Sequence, residues 1–270
     1  MNSSPGGCDR RSGQSALRSI TAAEKLLQEL GIDSAKDIDV EAIAWDAGAE
    51  VRFAPLDSCE ARIIGYGDRA IITVESGGIW QRRRFSVAHE LGHWKYHRGR
   101  SFVCRSDDIG NQRRSPTDPE RVADAYAADL LLPGFLFAPM AKQCSKATFD
   151  AVDQIRAEFQ TSRTATALRM VDYGPEPALL VCHGPNGRRW FKRGPAVPDR
   201  WFPRDEIDAE SDALEVLHGT KDRTTRSLIG ADAWFDRREA ELYEVYEQTV
   251  RMSTGDALSL VVIKSSEMLN

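Results

Sequence analysis

Residues 89–93 read His-Glu-Leu-Gly-His within the run VAHELGHWKYH. Two imidazoles four residues apart share one face of a helix and can reach one Zn²⁺ ion. The glutamate between them points one position round, where it reaches water beside such an ion rather than the ion itself. The spacing predicts a helix over residues 80–96, with Phe85, Ala88, Leu91 and Gly92 facing protein. Gly92 there permits close approach of another backbone. The bland reading of the same five residues is a polar helix face beside a charged run, and the pentapeptide alone does not separate the two.

A catalytic zinc site takes three protein ligands and keeps a position for water, so two histidines are insufficient. Position 99, six beyond His93, is Gly99 and offers no donor. His97 continues the stripe, but residues 89–97 span about 12 Å of helical rise, too far for one ion, so it is expected at the helix end. A carboxylate from a following helix is the remaining source. Asp118 is a fitting N-cap with Pro119 at the first helical position, and PERVADAYAADLLL continues as a helix to Pro133-Gly134. Glu120 and Asp124 lie one turn apart on it. Reach favours Glu120 as ligand, leaving Asp124 to accept the free ring N–H of a ligand histidine and fix its tautomer. The reverse assignment, with Glu120 serving the helix dipole, stays open on the residues alone. Tyr66, Arg84, Tyr96 and His97 are candidates for stabilising an oxyanion. Tyr126, six beyond Glu120, is expected in the core.

Lys and Arg number 36 against 41 Asp and Glu, a formal charge of -5. That balance argues against nucleic-acid binding through bulk positive charge. The three arginines at 82–84 are too few to reverse it; they read as solvated charge, with substrate contact second. No run approaches eighteen apolar residues, so no membrane span is expected. Residues 1–14 read as a disordered leader without an apolar signal core. The five cysteines are scattered, with no CxxC pair, and read as reduced thiols of a cytoplasmic protein.

Periodicity predicts helices over about residues 15–30 and 38–47, a strand at 49–56, and two strands around a turn at Gly67-Asp68. The arm at 71–74 belongs to that sheet, with a peptide-binding strand edge as its second reading. Residues 98–117 read as a surface loop. Helices follow at about 148–159 and 162–171, then strand-like runs at 178–182, 189–192 and 257–263, and an acidic helical stretch around 239–250. Cys182-His183 are strand residues; Trp190, Trp201 and Trp234 are core or interdomain contacts.

Two blocks, WQRRRFSVAHELGHWKYH at 80–97 and DPERVADAYAADLLLP at 118–133, together resemble the ImmA/IrrE family of bacterial metallopeptidases over about residues 15–172. The matching positions include Arg84-Phe85, the His89–His93 motif, His97, Glu120 and the Leu131-Leu132-Pro133 ending. The family often has Asn where this chain has Asp124 and Phe where it has Tyr126. The resemblance implies metal ligands His89, His93 and Glu120, Glu90 as general base, and Zn²⁺ as the metal, with Mn²⁺ in some relatives. It also implies an α+β fold: a mostly helical minimal zincin-like core with a small antiparallel sheet at 15–140. A helical pair at 141–173 and a separate small C-terminal α+β domain at 174–270, read as regulatory, would follow.

The implied activity is a zinc-dependent endopeptidase that cleaves a regulatory protein, a helix-turn-helix transcriptional repressor. Mobile-element excision, toxin–antitoxin control and stress response are the settings such proteins resemble. The alternative is a non-catalytic metal-binding regulator that binds a repressor or DNA. The pair at 149–171 has the outline of a helix-turn-helix, with Arg156, Arg163 and Arg169 as outward positions; the weak basic charge favours a buttress for the catalytic helices instead.

Overall fold

The structure, a computed structural model, describes residues 19–98, 101–104, 115 and 117–270. The leader expected at 1–14 and most of the loop expected at 98–117 lie outside these residues. Helix α1 (Ala22–Glu29) starts at Thr21, whose hydroxyl accepts from the Glu24 N–H while the Glu24 carboxylate accepts from the Thr21 N–H. This reciprocal cap sets the start of the helix. The second Glu24 oxygen accepts from Gly134 N–H at 2.7 Å and ties this helix to a later one.

Helix α2 (Val40–Asp46) is capped by Asp39 and buries Val40, Ile43 and Ala44. Three strands follow: β1 (Ala49–Ala54), β2 (Ala61–Tyr66) and β3 (Arg69–Glu75). Gly67, with φ of 61°, makes the β2–β3 turn that Gly67-Asp68 predicts. Helix α3 (Trp80–Tyr96) then crosses the sheet, and the three-residue β4 (Phe102–Cys104) returns to it. The strand order is β1-β3-β2-β4. The sheet is antiparallel through β3-β2-β4, but β1 runs parallel to β3, so one pairing departs from the expected all-antiparallel sheet. β3 is an interior strand, so the 71–74 arm is not a peptide-binding edge. Residues 102–104 are strand where the polar flanks predict loop.

Helix α3 is buried along most of its length, from Ser86 to Trp94. The sheet covers one side and α4 (Pro119–Leu131) the other. Asp118 caps α4 through Glu120 N–H at 2.9 Å, with Pro119 at the first position, as the residues predict. α4 turns Ala123, Tyr126, Ala127 and Leu130 inward at helical spacing. Pro133 ends it but also starts α5 (Gly134–Gln143), a helix the Pro-Gly pair concealed. Proline suits a helix start as well as a stop. Helices α6 (Phe149–Phe159) and α7 (Arg163–Tyr173) fall within a residue or two of their predicted bounds. Phe137, Phe149 and Phe159 are fully buried among these helices; each such side chain contributes roughly 1.5–3 kcal/mol.

The C-terminal region holds β5 (Ala178–Gly184), β6 (Gly187–Arg193), α8 (Ala213–His218), β7 (Ser227–Gly230), β8 (Glu244–Arg251) and β9 (Ala257–Ile263). Its sheet has the order β6-β5-β9-β8-β7 and is antiparallel throughout. β5 and β9 are buried at every position. Their alternating residues explain this: Leu180, Cys182, Leu258 and Leu260 join the core that includes α6 and α7. Leu179, Val181, Val261 and Ile263 join a second cluster around Trp201, Trp234 and Phe235. A sheet covered on both faces reads as an unbroken apolar run. The stretch 239–250 is not a helix. Residues Arg238–Leu242 make a short 3₁₀ turn, and β8 then pairs with both β7 and β9, where Val245, Thr249 and Val250 suit a strand. No single described helix is long and apolar enough to cross a membrane.

Candidate metal centre

His89 and His93 sit on the buried middle of α3, and their Nε2 atoms face each other at 3.1 Å. Glu120, in the first turn of α4, places Oε2 at 3.2 Å from His89 Nε2 and Oε1 at 3.4 Å from His93 Nε2. Tetrahedral bonds of about 2.05 Å separate ligand atoms by about 3.3 Å. The histidine–histidine separation and the separation of each histidine from one of the two Glu120 oxygens lie near that length, so these residues fit a divalent cation. Gly92 makes the approach of the two helices close enough: a methyl group there would lie 2.8 Å from the Ala123 Cα.

Asp124, one turn after Glu120, accepts from His89 Nδ1–H at 2.9 Å. That bond leaves Nε2 as the donor atom toward the centre. His93 is held differently: its ring stacks on Phe102, with centroids 4.1 Å apart and planes 13° from parallel. His97 caps the end of α3 through its N–H to His93 O and stands outside the ligand cluster.

Cys104 belongs to the cluster, although the sequence marks it only as one scattered thiol. Its Sγ lies 3.5 Å from His93 Nε2, and the donor atoms of His89, His93, Cys104 and Glu120 all lie within 4.8 Å of one another. The one signal available was its place at the end of an apolar triplet, Phe102-Val103-Cys104, between the two motif blocks.

Glu90 is fully buried, and neither carboxylate oxygen has a hydrogen-bond partner of good geometry. Burial pushes its pKa up to about 7, against the pull of neighbouring His89 and a small lowering from the adjacent Cys104 thiol. His89 goes up to about 9: burial opposes the charged ring, but the hydrogen bonds to Asp124 and Glu120 outweigh it. Burial likewise opposes the Glu120 charge, and its hydrogen bonds to the two histidines overcome it and hold the carboxyl well below the usual range. Burial and the nearby Glu90 and Glu120 carboxylates push the Cys104 thiol far up.

The oxyanion candidates separate in space. Tyr66 is almost fully exposed, and Tyr96 is half-exposed, edge-on to Tyr126. Arg84 is not solvated charge: it is buried and donates to Phe159 O, Gln160 O and Ile38 O. It thereby ties α3 to the C-terminus of α6, where a cation is favoured by the helix dipole. Arg82 pairs with Glu60, and Arg83 lies over the Phe53 and Trp80 rings.

Residues 44–171 match the sequence profile of the IrrE N-terminal-like domain. This segment is an ImmA/IrrE family domain. Its His89-Glu90-x-x-His93 motif with Glu120 and Cys104 alongside is consistent with the active site of a metal-dependent peptidase. A solved structure described as a Mycobacterium tuberculosis transcriptional regulator shares the fold, with a TM-score of 0.60 at 16% identity over 90% of this chain and 74% of that one. No curated protein matches this chain. The ImmA/IrrE domain thus supplies the metal-binding module, and the likeness to the regulator extends across most of the chain, including the C-terminal region.

Proposed function

We propose that the protein is a zinc-dependent endopeptidase that cleaves a helix-turn-helix transcriptional repressor. The observation that carries this reading is the set of donor separations, 3.1, 3.2 and 3.4 Å, beside a buried glutamate whose oxygens accept no hydrogen bond of good geometry. His89, His93 and Glu120 hold the metal, with Zn²⁺ favoured by two imidazoles and one carboxylate and Mn²⁺ the alternative. When bound, the cation supplies Lewis acidity that polarises a peptide carbonyl and acidifies water. Glu90 takes a proton from the attacking water and delivers it to the leaving amine. Asp124 positions the His89 ring through its 2.9 Å bond.

The regulatory substrate draws support from the fold shared with the mycobacterial transcriptional regulator. The second reading, a non-catalytic metal-binding regulator of a repressor or of DNA, draws on the same likeness, but it gives Glu90 nothing to do. DNA contact through α6 and α7 is disfavoured by their arginines. Arg169 is buried on Asp129, and Arg156 and Arg163 both pair with Asp153. The test is cleavage of purified helix-turn-helix repressors by zinc-loaded chain. Wild type should cut and Glu90→Gln should not, while both hold zinc equally. Equal cutting by the two would remove Glu90 as base, and binding without cutting by wild type would favour the non-catalytic reading.

A further inference from the structure

A catalytic zinc centre takes three protein ligands and leaves a fourth position to water, whereas a closed centre takes four. His89, His93 and Glu120 account for three, and Cys104 is the fourth donor of the cluster, all four donor atoms lying within 4.8 Å of one another. A zinc–sulfur bond of about 2.3 Å and a zinc–nitrogen bond of about 2.05 Å at a tetrahedral angle separate sulfur from nitrogen by about 3.6 Å. The Cys104 Sγ to His93 Nε2 distance is 3.5 Å.

The surroundings also differ from those of a packing cysteine, which normally sits among apolar groups as a small hydrophobe. Cys104 is fully buried, yet its neighbours are the Glu90 and Glu120 carboxylates and the His93 ring. Its backbone is positioned by a short pairing: the carbonyl accepts from Glu60 N–H at 3.0 Å, and β4 pairs with β2 through Ala61↔Cys104, Arg62↔Val103 and Ile63↔Phe102. The same strand sets Phe102 against His93.

We propose that Cys104 coordinates the metal as a thiolate, closing the resting centre so that catalysis requires the thiolate to leave. The proposal rests on the peptidase reading for the other three ligands. Coordination replaces the S–H proton by the metal, and the proton passes to solvent. β4 is the element that must yield, and it is suited to this. It is a three-residue edge strand with a single pairing neighbour, and such elements open at low free energy.

The experiment reads the metal rather than turnover. Metal-free full-length chain is reconstituted with Co²⁺, as wild type, Cys104→Ser and Cys104→Ala. Wild type should show a near-ultraviolet thiolate-to-cobalt charge-transfer band that both variants lose while keeping visible d–d bands from bound cobalt. X-ray absorption on the zinc form should find one sulfur at about 2.3 Å. Acetohydroxamate, a small metal-binding probe, should shift the d–d bands of Cys104→Ala at concentrations that leave wild type unchanged. Cobalt bound to wild type without a sulfur signature would overturn the proposal and leave the three-ligand peptidase centre standing. A sulfur signature with wild type as responsive to acetohydroxamate as Cys104→Ala would overturn closure. Failure of wild type to bind cobalt at all would sink the metal centre itself, and the proposal with it. The wild-type spectra decide ligation even if neither variant folds.

Discussion

Replacing Gly92 by Ala tests whether one backbone contact sets the spacing of the metal ligands. The added Cβ would meet Ala123 Cα at 2.8 Å, its O at 3.0 Å and its Cβ at 3.2 Å. Two of these atoms are backbone, so no side-chain rotation relieves them. Comfortable carbon–carbon contact begins near about 3.5 Å, so α3 and α4 must part by roughly 0.7 Å at this crossing. His89 and His93 flank Gly92 on α3, and Glu120 lies three residues before Ala123 on α4. The histidine–carboxylate separations therefore widen by a similar amount, well beyond the ~0.2 Å that a metal site tolerates. Overpacking costs about 1–3 kcal/mol, and replacing glycine inside a helix returns up to about 1 kcal/mol. The fold should thus survive with Tm lowered by no more than about 8 °C. Zinc affinity, measured by competition with a chromogenic chelator, should fall at least about tenfold, the scale on which misplaced ligands are felt. Gly78→Ala is the control, since its Cβ would meet only Arg83 Cγ at an ordinary 3.7 Å. A folded Gly92→Ala protein with zinc affinity within about twofold of wild type would refute the claim that helix approach fixes the ligand spacing.

Three further outcomes are expected. Burial raises Glu90 from 4.5 to about 7, so its charge weakens the metal-free fold increasingly between those pH values, by on the order of 3 kcal/mol once pH exceeds about 7. Metal-free Glu90→Gln should therefore melt higher than wild type at pH ~8 and no higher at pH ~4, where the acid is neutral whether folded or not; a difference independent of pH would contradict this. Asp124→Ala should lower zinc affinity about 10–100-fold by releasing the His89 ring, and Asp124→Asn much less; chelator titration giving equal affinity for the Ala variant would deny Asp124 its positioning role. Arg84→Met leaves the Phe159, Gln160 and Ile38 carbonyls without their donor. Its Tm should fall by on the order of 10 °C in a thermal melt, with zinc affinity of the folded protein unchanged; an unaltered melt would mean those bonds hold nothing together.

Much of the centre was legible because its geometry is local. Four residues of helix bring His89 and His93 to one face whatever surrounds them, and Asp118-Pro119 announces a helix start that places Glu120 and Asp124 one turn apart. Gly92 signalled a close approach before its partner, Ala123, was known. The strands at 178–182 and 257–263 were legible because each is a short, mainly apolar run, the second ending in Val261-Val262-Ile263. The acidic stretch at 239–250 misled because charge count says nothing of pairing on both sides of a strand.

The residues alone determined that two imidazoles and a glutamate would share a helix, and which later carboxylates could serve them. Only tertiary structure decided that Cys104 would join the four-donor cluster, that Arg84 would be a buried tie rather than a solvated charge, and that the 71–74 strand would lie inside its sheet. The physical reason is range. Helical periodicity and capping act within a turn or two of chain, whereas a neighbour across the fold is chosen by packing and hydrogen-bond satisfaction summed over many residues at once.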